Sequence, residues 1–173
     1  MKKNIKWLLL LAVTFVSCND DCKINEPAPV EPLTAGTANF AKYVALGNSL
    51  SAGFSDNALF IEGQKGAWTN ILSQQFALVG GGEFRIPFMA DNIGGFNFGG
   101  VQTPQGPRLY FNGSAPVPVA AISGTAINVR LTNGPFNNIG VPGAKSFHLL
   151  SNAYGNPAGI FTGTANPYFV RMA

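Results

Sequence analysis

The stretch Tyr43-Val44-Ala45-Leu46-Gly47-Asn48-Ser49-Leu50-Ser51-Ala52-Gly53 decides how the rest of the chain is read. Its first four residues form a short apolar run, the pattern of a strand buried on both faces, as in parallel sheets. Gly47 closes the run, and a polar, glycine-containing turn from Asn48 to Gly53 follows. Downstream, Trp68, Ile71, Leu72, Phe76 and Val79 recur at helical spacing, with Thr69, Asn70, Ser73 and Gln74 on the other side. Gly80-Gly81-Gly82 stops that helix. Strand, turn and helix make the first half of a βαβ unit. Ser49 then stands just beyond the carboxyl end of a strand, where ligands gather in open parallel sheets.

A second strand-turn-helix follows: Phe136-Asn137-Asn138-Ile139, then Gly140-Val141-Pro142-Gly143, then a helix from Ala144 to Ser151. Between the two units, residues 80–134 are rich in Gly and Phe. They carry short β-type runs at Phe84-Arg85-Ile86, Arg108-Leu109-Tyr110-Phe111 and Ala126 to Leu131, with turn signals at Asn112-Gly113 and Asn133-Gly134. This region reads as a loop-heavy β insertion, not a second domain. At the far end, Asn166-Pro167 is a helix start: Asn at the cap, Pro at the first helical position.

Gly47-Asn48-Ser49-Leu50-Ser51-Ala52-Gly53 resembles the first sequence block of the SGNH/GDSL serine esterases and lipases, Gly-Asp-Ser-Leu-(Ser/Thr)-x-Gly. Asn138-Ile139-Gly140-Val141-Pro142-Gly143-Ala144 resembles their second block. The resemblance implies a flavodoxin-like, three-layer α/β/α parallel sheet. It also implies Ser49 as nucleophile and an oxyanion hole built from the backbone N–H groups of Ser49 and Gly143. Gly47, Asn48, Leu50, Gly53, Asn138 and Gly140 then serve as the residues supporting the motifs. Asn48 stands where the family carries Asp, a position that is neither nucleophile nor base. The implied chemistry is acyl transfer through an acyl-enzyme on an ester, whether acylated glycan, lipid or small ester. It needs no metal or other cofactor.

Two further blocks of that family do not occur in the 173 residues: Gly-x-Asn-Asp, and the Asp-x-x-His that supplies the base. The last acidic residue is Asp91 and the only histidine is His148, placed on the helix after the second block rather than in a late loop. His148 therefore reads as a packed or surface residue. A serine hydroxyl is a weak nucleophile without a base. The chain is accordingly expected to be the N-terminal part of a longer hydrolase, incomplete at its C-terminus and nearly inactive alone.

The amino terminus carries a different message. Residues 1–18 join Lys2, Lys3 and Lys6 to an apolar run, Trp7 to Val16, too short for a permanent membrane span. Phe15-Val16-Ser17-Cys18 resembles a bacterial lipobox, with Phe15 where Leu is commoner. The reading is a signal peptide over 1–17, a lipidated Cys18 opening a Pro-rich tether over 18–39, and a partial hydrolase domain over 40–173. It implies a protein held to the cell envelope, at the outer membrane of a Gram-negative bacterium.

Charge supports that division. Lys+Arg number 11 and Asp+Glu 8, for a net +3, and the three leader lysines account for the whole excess. The body is neutral, with no Lys/Arg cluster, which argues against a nucleic-acid partner. Two cysteines make no disulfide framework, and with one histidine they make no four-ligand zinc site. A Gly-x-Ser-x-Gly elbow would need Gly at Ser51, and Gly143-Ala144-Lys145-Ser146 does not have P-loop spacing. The competing expectation is a non-catalytic surface lipoprotein that binds glycan or a partner protein through Phe96, Phe98, Tyr110 and Phe111. A third is a truncated product that does not fold stably.

Overall fold

The computed structural model describes residues 31–173, so the leader, Cys18 and most of the tether lie outside the described residues. Strand β1 (Ala45–Gly47) runs directly into helix α1 (Ser49–Ala52). Helices α2 (Ile61–Lys65) and α3 (Trp68–Ala77) follow. Two antiparallel pairs come next: β2 (Asn97–Phe98) with β3 (Val101–Gln102), and β4 (Leu109–Phe111) with β5 (Pro116–Pro118). Strand β6 (Asn138–Gly140) then returns to pair with β1 in parallel, matching Ala45 to Asn138, Leu46 to Ile139 and Gly47 to Gly140. Two 3₁₀ turns (Ser146–Leu150 and Pro157–Gly159) and helix α4 (Pro167–Val170) complete the described elements. The result is a small mixed α/β domain with a short parallel sheet and two antiparallel pairs.

One core joins these parts. Ala52, Leu59, Met89, Phe96, Ile127, Val141, Tyr154 and Tyr168 form a single buried cluster. Met89, Phe96 and Ile127 come from the 80–134 segment, which is therefore integral to the core. The 87–89 stretch has no sheet partner and is held by side chains instead. Gln64 Nε2 donates to Pro87 O (3.0 Å), and Gln64 Oε1 accepts from Met89 N (2.8 Å). Arg171, 4% exposed, donates to Phe88 O at 2.7 Å. An aromatic cluster anchors the start of the body: Phe40 stacks on Phe76 at 4.2 Å, and Tyr43 contacts both Phe76 and Phe84.

Four expectations are corrected. Residues 43–46 are not buried on both faces: Ala45 is buried, but Val44 and Leu46 are exposed, because α1 packs on one face of the β1–β6 sheet and the other is left largely open. Helix α3 buries Thr69 and Ser73 while Trp68 and Ile71 face outward, and Leu72, Phe76 and Val79 are half-buried. The hydroxyl side turns inward because it meets polar groups of α1 and β6. Phe84–Ile86 and Ala126–Leu131 form no strands. Arg85 O instead accepts from both Asn137 N and Asn138 N, and 126–131 makes a single isolated bridge, from Ala126 to Asn97. The helix expected over 144–151 is a 3₁₀ turn at Ser146–Leu150.

The hairpin at Asn112-Gly113 is as expected. Asn112 Oδ1 accepts from Ser114 N and Ala115 N (2.9 Å each), closing the β4–β5 connection. Asn166 also caps α4 as its sequence indicates, accepting from Tyr168 N and Phe169 N.

Candidate active site

The parallel pairing of β1 and β6 brings the two motif-bearing turns to the carboxyl ends of adjacent strands. The last rung of that junction is Val141 N donating to Gly47 O at 3.0 Å. Beyond it the chains diverge, one into Asn48-Ser49, the other into Pro142-Gly143.

Asn48 caps α1. Its side-chain oxygen accepts from Leu50 N at 3.2 Å, and Gly53 ends the helix in the left-handed region at φ 83°. An Asn in place of Asp keeps this bond, since the cap needs only an oxygen acceptor. Ser49 is the first residue of α1 and is half-buried, and its hydroxyl makes no hydrogen bond among the described residues. As a first-turn residue it has no helical acceptor for its N–H. Leu50 points to solvent.

The second turn is built by Pro142-Gly143. Ala144 N donates to Val141 O (3.0 Å), with Gly143 at φ 81°. Proline followed by glycine at a positive φ is the type II turn pattern. Asn166 Nδ2 donates to Pro142 O at 2.8 Å, so the cap of α4 also fixes this turn. Gly143 is exposed. Sequence reading found Asn166 as a cap but missed its hold on the turn, which depends on a contact 24 residues away.

The remaining motif residues are structural. Asn138, 2% exposed, donates to Ser51 O (2.9 Å) and Thr69 Oγ1 (3.0 Å), and its own oxygen accepts from Gly140 N (2.9 Å). Thr69 Oγ1 in turn donates to Ser51 O at 2.9 Å. This closed network ties β6, α1 and α3 together and satisfies every group that it buries. A Cβ at Gly140 would meet the backbone of Ser51 and Ala52, and a Cβ at Gly47 would meet the Ser51 side chain. The two glycines therefore let α1 lie directly on the strands, which sets where Ser49 emerges. The inward turn of Thr69 gave no signal in sequence, since a hydroxyl residue on a helix reads as surface.

His148 lines the same groove as Gly47 and Asn48. Its Nδ1 accepts the Lys145 N–H at 3.1 Å, and its ring stacks on Tyr154 at 4.2 Å. No described side chain, His148 included, is hydrogen-bonded to the Ser49 hydroxyl.

Phe96 is fully buried, so it leaves the set of candidate surface contacts, whereas Phe98, Tyr110 and Phe111 are exposed. No group of three or more metal-ligating side chains occurs among the described residues. Nor is any described helix long and apolar enough to cross a membrane. Two strongly shifted groups lie side by side near the C-terminus. Burial pushes the Tyr168 phenol up to about 12 and lowers the Arg171 guanidinium to about 10. Both belong to the core around 87–89 and are structural in role. No family model matches the chain, and no curated protein or solved structure matches it.

Proposed function

We propose that the chain carries the nucleophile region of an SGNH-type serine ester hydrolase on a flavodoxin-like sheet. Ser49 is the attacking group, and the N–H groups of Ser49 and Gly143 are the oxyanion donors. One observation carries this reading: the parallel pairing of β1 and β6 sets the two family-like turns beside each other at one sheet edge. Gly47, Asn138 and Gly140 supply the close packing that holds them there. Ser49 attacks the ester carbonyl, the alcohol leaves, and water releases the acid from the acyl-enzyme. Each oxyanion donor is worth about 2.7–4 kcal/mol in the tetrahedral intermediate. The 173 residues contain neither the Gly-x-Asn-Asp nor the Asp-x-x-His block that supplies the base in the family the chain resembles. Cys18 anchors the protein to the envelope, and the Pro-rich tether spaces it from the bilayer.

A fluorophosphonate probe applied to the full-length gene product tests this. The expected result is a single adduct on Ser49, lost in Ser49→Ala. An intact protein that takes up no probe overturns the reading. A second reading, a non-catalytic glycan-binding lipoprotein, is favoured by the exposed edge-to-face pair Phe98–Phe161 (5.0 Å) beside Val101. Glycan retention without labelling would select it.

A further inference from the structure

Arg171 is a buried cation without a carboxylate. It is 4% exposed, and the ion pairs among the described residues are Lys65–Glu62 and Arg85–Glu83. Its acceptors are Phe88 O (2.7 Å), Met89 Sδ (3.1 Å) and Pro87 O (3.5 Å). These engage at most three of the five N–H groups of a guanidinium, and none of them is charged. Arg171 lines a small cavity together with Ala52, Gln64, Asn138, Gly140 and Tyr168, in which the centre of a water-sized sphere has about 10 Å³ to move. That is room for one water or one halide-sized ion. The side-chain groups still open there are donors. Tyr168, 8% exposed, is hydrogen-bonded through its main-chain N–H to Asn166, which leaves the phenol O–H uncommitted. Phenol and guanidinium lie close enough for their charges to act on one another. Gln64 gives one amide N–H to Pro87 O and keeps the other. The side-chain acceptors are already taken, Gln64 Oε1 by Met89 N and Asn138 Oδ1 by Gly140 N, and no lining side chain is acidic.

A water here needs acceptors for its own protons, whereas an anion needs only donors. A buried charge is costly unless an opposite charge offsets it, so open donors around an unpaired guanidinium favour an anion. We propose that the cavity binds a single monatomic anion of halide size, held by Arg171, the Tyr168 phenol and the Gln64 amide. The volume has no room for a phosphate or a carboxylate. Gln64 and Arg171 hold the 87–89 stretch, while Ala52, Asn138 and Gly140 belong to the junction from which Ser49 emerges. The anion ties that stretch to the junction and stabilises the fold. It takes no part in the chemistry at Ser49 and does not depend on the hydrolase reading.

Denaturant unfolding of the chain in potassium chloride, bromide or gluconate at equal ionic strength tests the proposal. Chloride and bromide should stabilise the fold saturably, by about tenfold in the folding equilibrium at ten times the dissociation constant, and the bulky gluconate should not. Tyr168→Phe keeps the ring and removes only the hydroxyl, and should weaken halide binding about tenfold or more. Arg171→Met should abolish it; where that variant does not fold, Tyr168→Phe carries the test. Crystals soaked in bromide should show an anomalous peak within hydrogen-bond distance of Arg171 and Tyr168. Equal stabilisation in all three salts overturns the proposal, as does a halide effect unchanged in Tyr168→Phe. A water alone in the cavity, or bromide only at other positions (an adventitious ion only), overturns it too.

Discussion

The two faces of the β1–β6 sheet are made by alternate residues of the same strands, yet they have opposite character. On one face Ala45, Gly47, Asn138 and Gly140 lie against α1 with no space to spare. On the other, Val44 and Leu46 are exposed apolar side chains, and Ile139 lines an open groove. Side chains of a strand alternate between faces, so one short run serves both purposes. The contrast separates two roles within the motifs. The covered face fixes where the turns emerge, whereas the turns themselves carry the candidate chemistry. Small residues and a buried amide do the first job, and exposed backbone donors with a free hydroxyl do the second.

Substitutions on the covered face should be costly in proportion to how little the neighbouring atoms can move. Gly140→Ala places a methyl against the backbone of Ser51 and Ala52, which no rotamer change relieves. A loss of about 3 kcal/mol or more is expected by chemical denaturation. A smaller loss at Gly47→Ala, where the obstacle is a rotatable Ser51 side chain, would sharpen the comparison. Equal losses would break it.

Asn138→Ala comes next, at about 2 kcal/mol, since it removes three buried hydrogen bonds and leaves Ser51 O with Thr69 alone. Thr69→Val should cost about 1 kcal/mol, and the double variant less than the sum, because the two side chains share one network. Additive losses in a denaturant melt would show that the network does not act as a unit.

The open face should be nearly silent. Leu46→Ser, at an exposed position one residue from Gly47, should shift stability by no more than about 0.5 kcal/mol. A loss as large as that of Asn138→Ala would mean that this face is covered in solution.

Much of this junction could be read in the sequence, and the reasons are local. Gly47, Asn48 and Gly53 are fixed by cap and turn geometry over a few residues, as is the Pro142-Gly143 turn. Asn166-Pro167 announced a helix start for the same reason. What was not legible depended on partners far along the chain. Periodicity put Trp68 and Ile71 inside, whereas hydrogen bonds to the Ser51 carbonyl and the Asn138 amide draw Thr69 inward. Hydrophobic spacing has no term for a polar junction. Phe84-Arg85-Ile86 read as a β-type run, but the backbone over 85–88 is held by the side chains of Asn137, Gln64 and Arg171, none of which leaves a pattern near it. The buried cation at Arg171 was likewise invisible, because its acceptors are two main-chain carbonyls and the Met89 sulfur rather than carboxylates.

The nucleophile assignment is tested most directly by mass-spectrometric mapping of fluorophosphonate adducts on the full-length gene product. The account predicts one modified peptide, carrying the adduct on Ser49, absent in Ser49→Ala and retained in Asn48→Asp. A folded protein that stays unmodified at Ser49, or is labelled equally in Ser49→Ala, would contradict it.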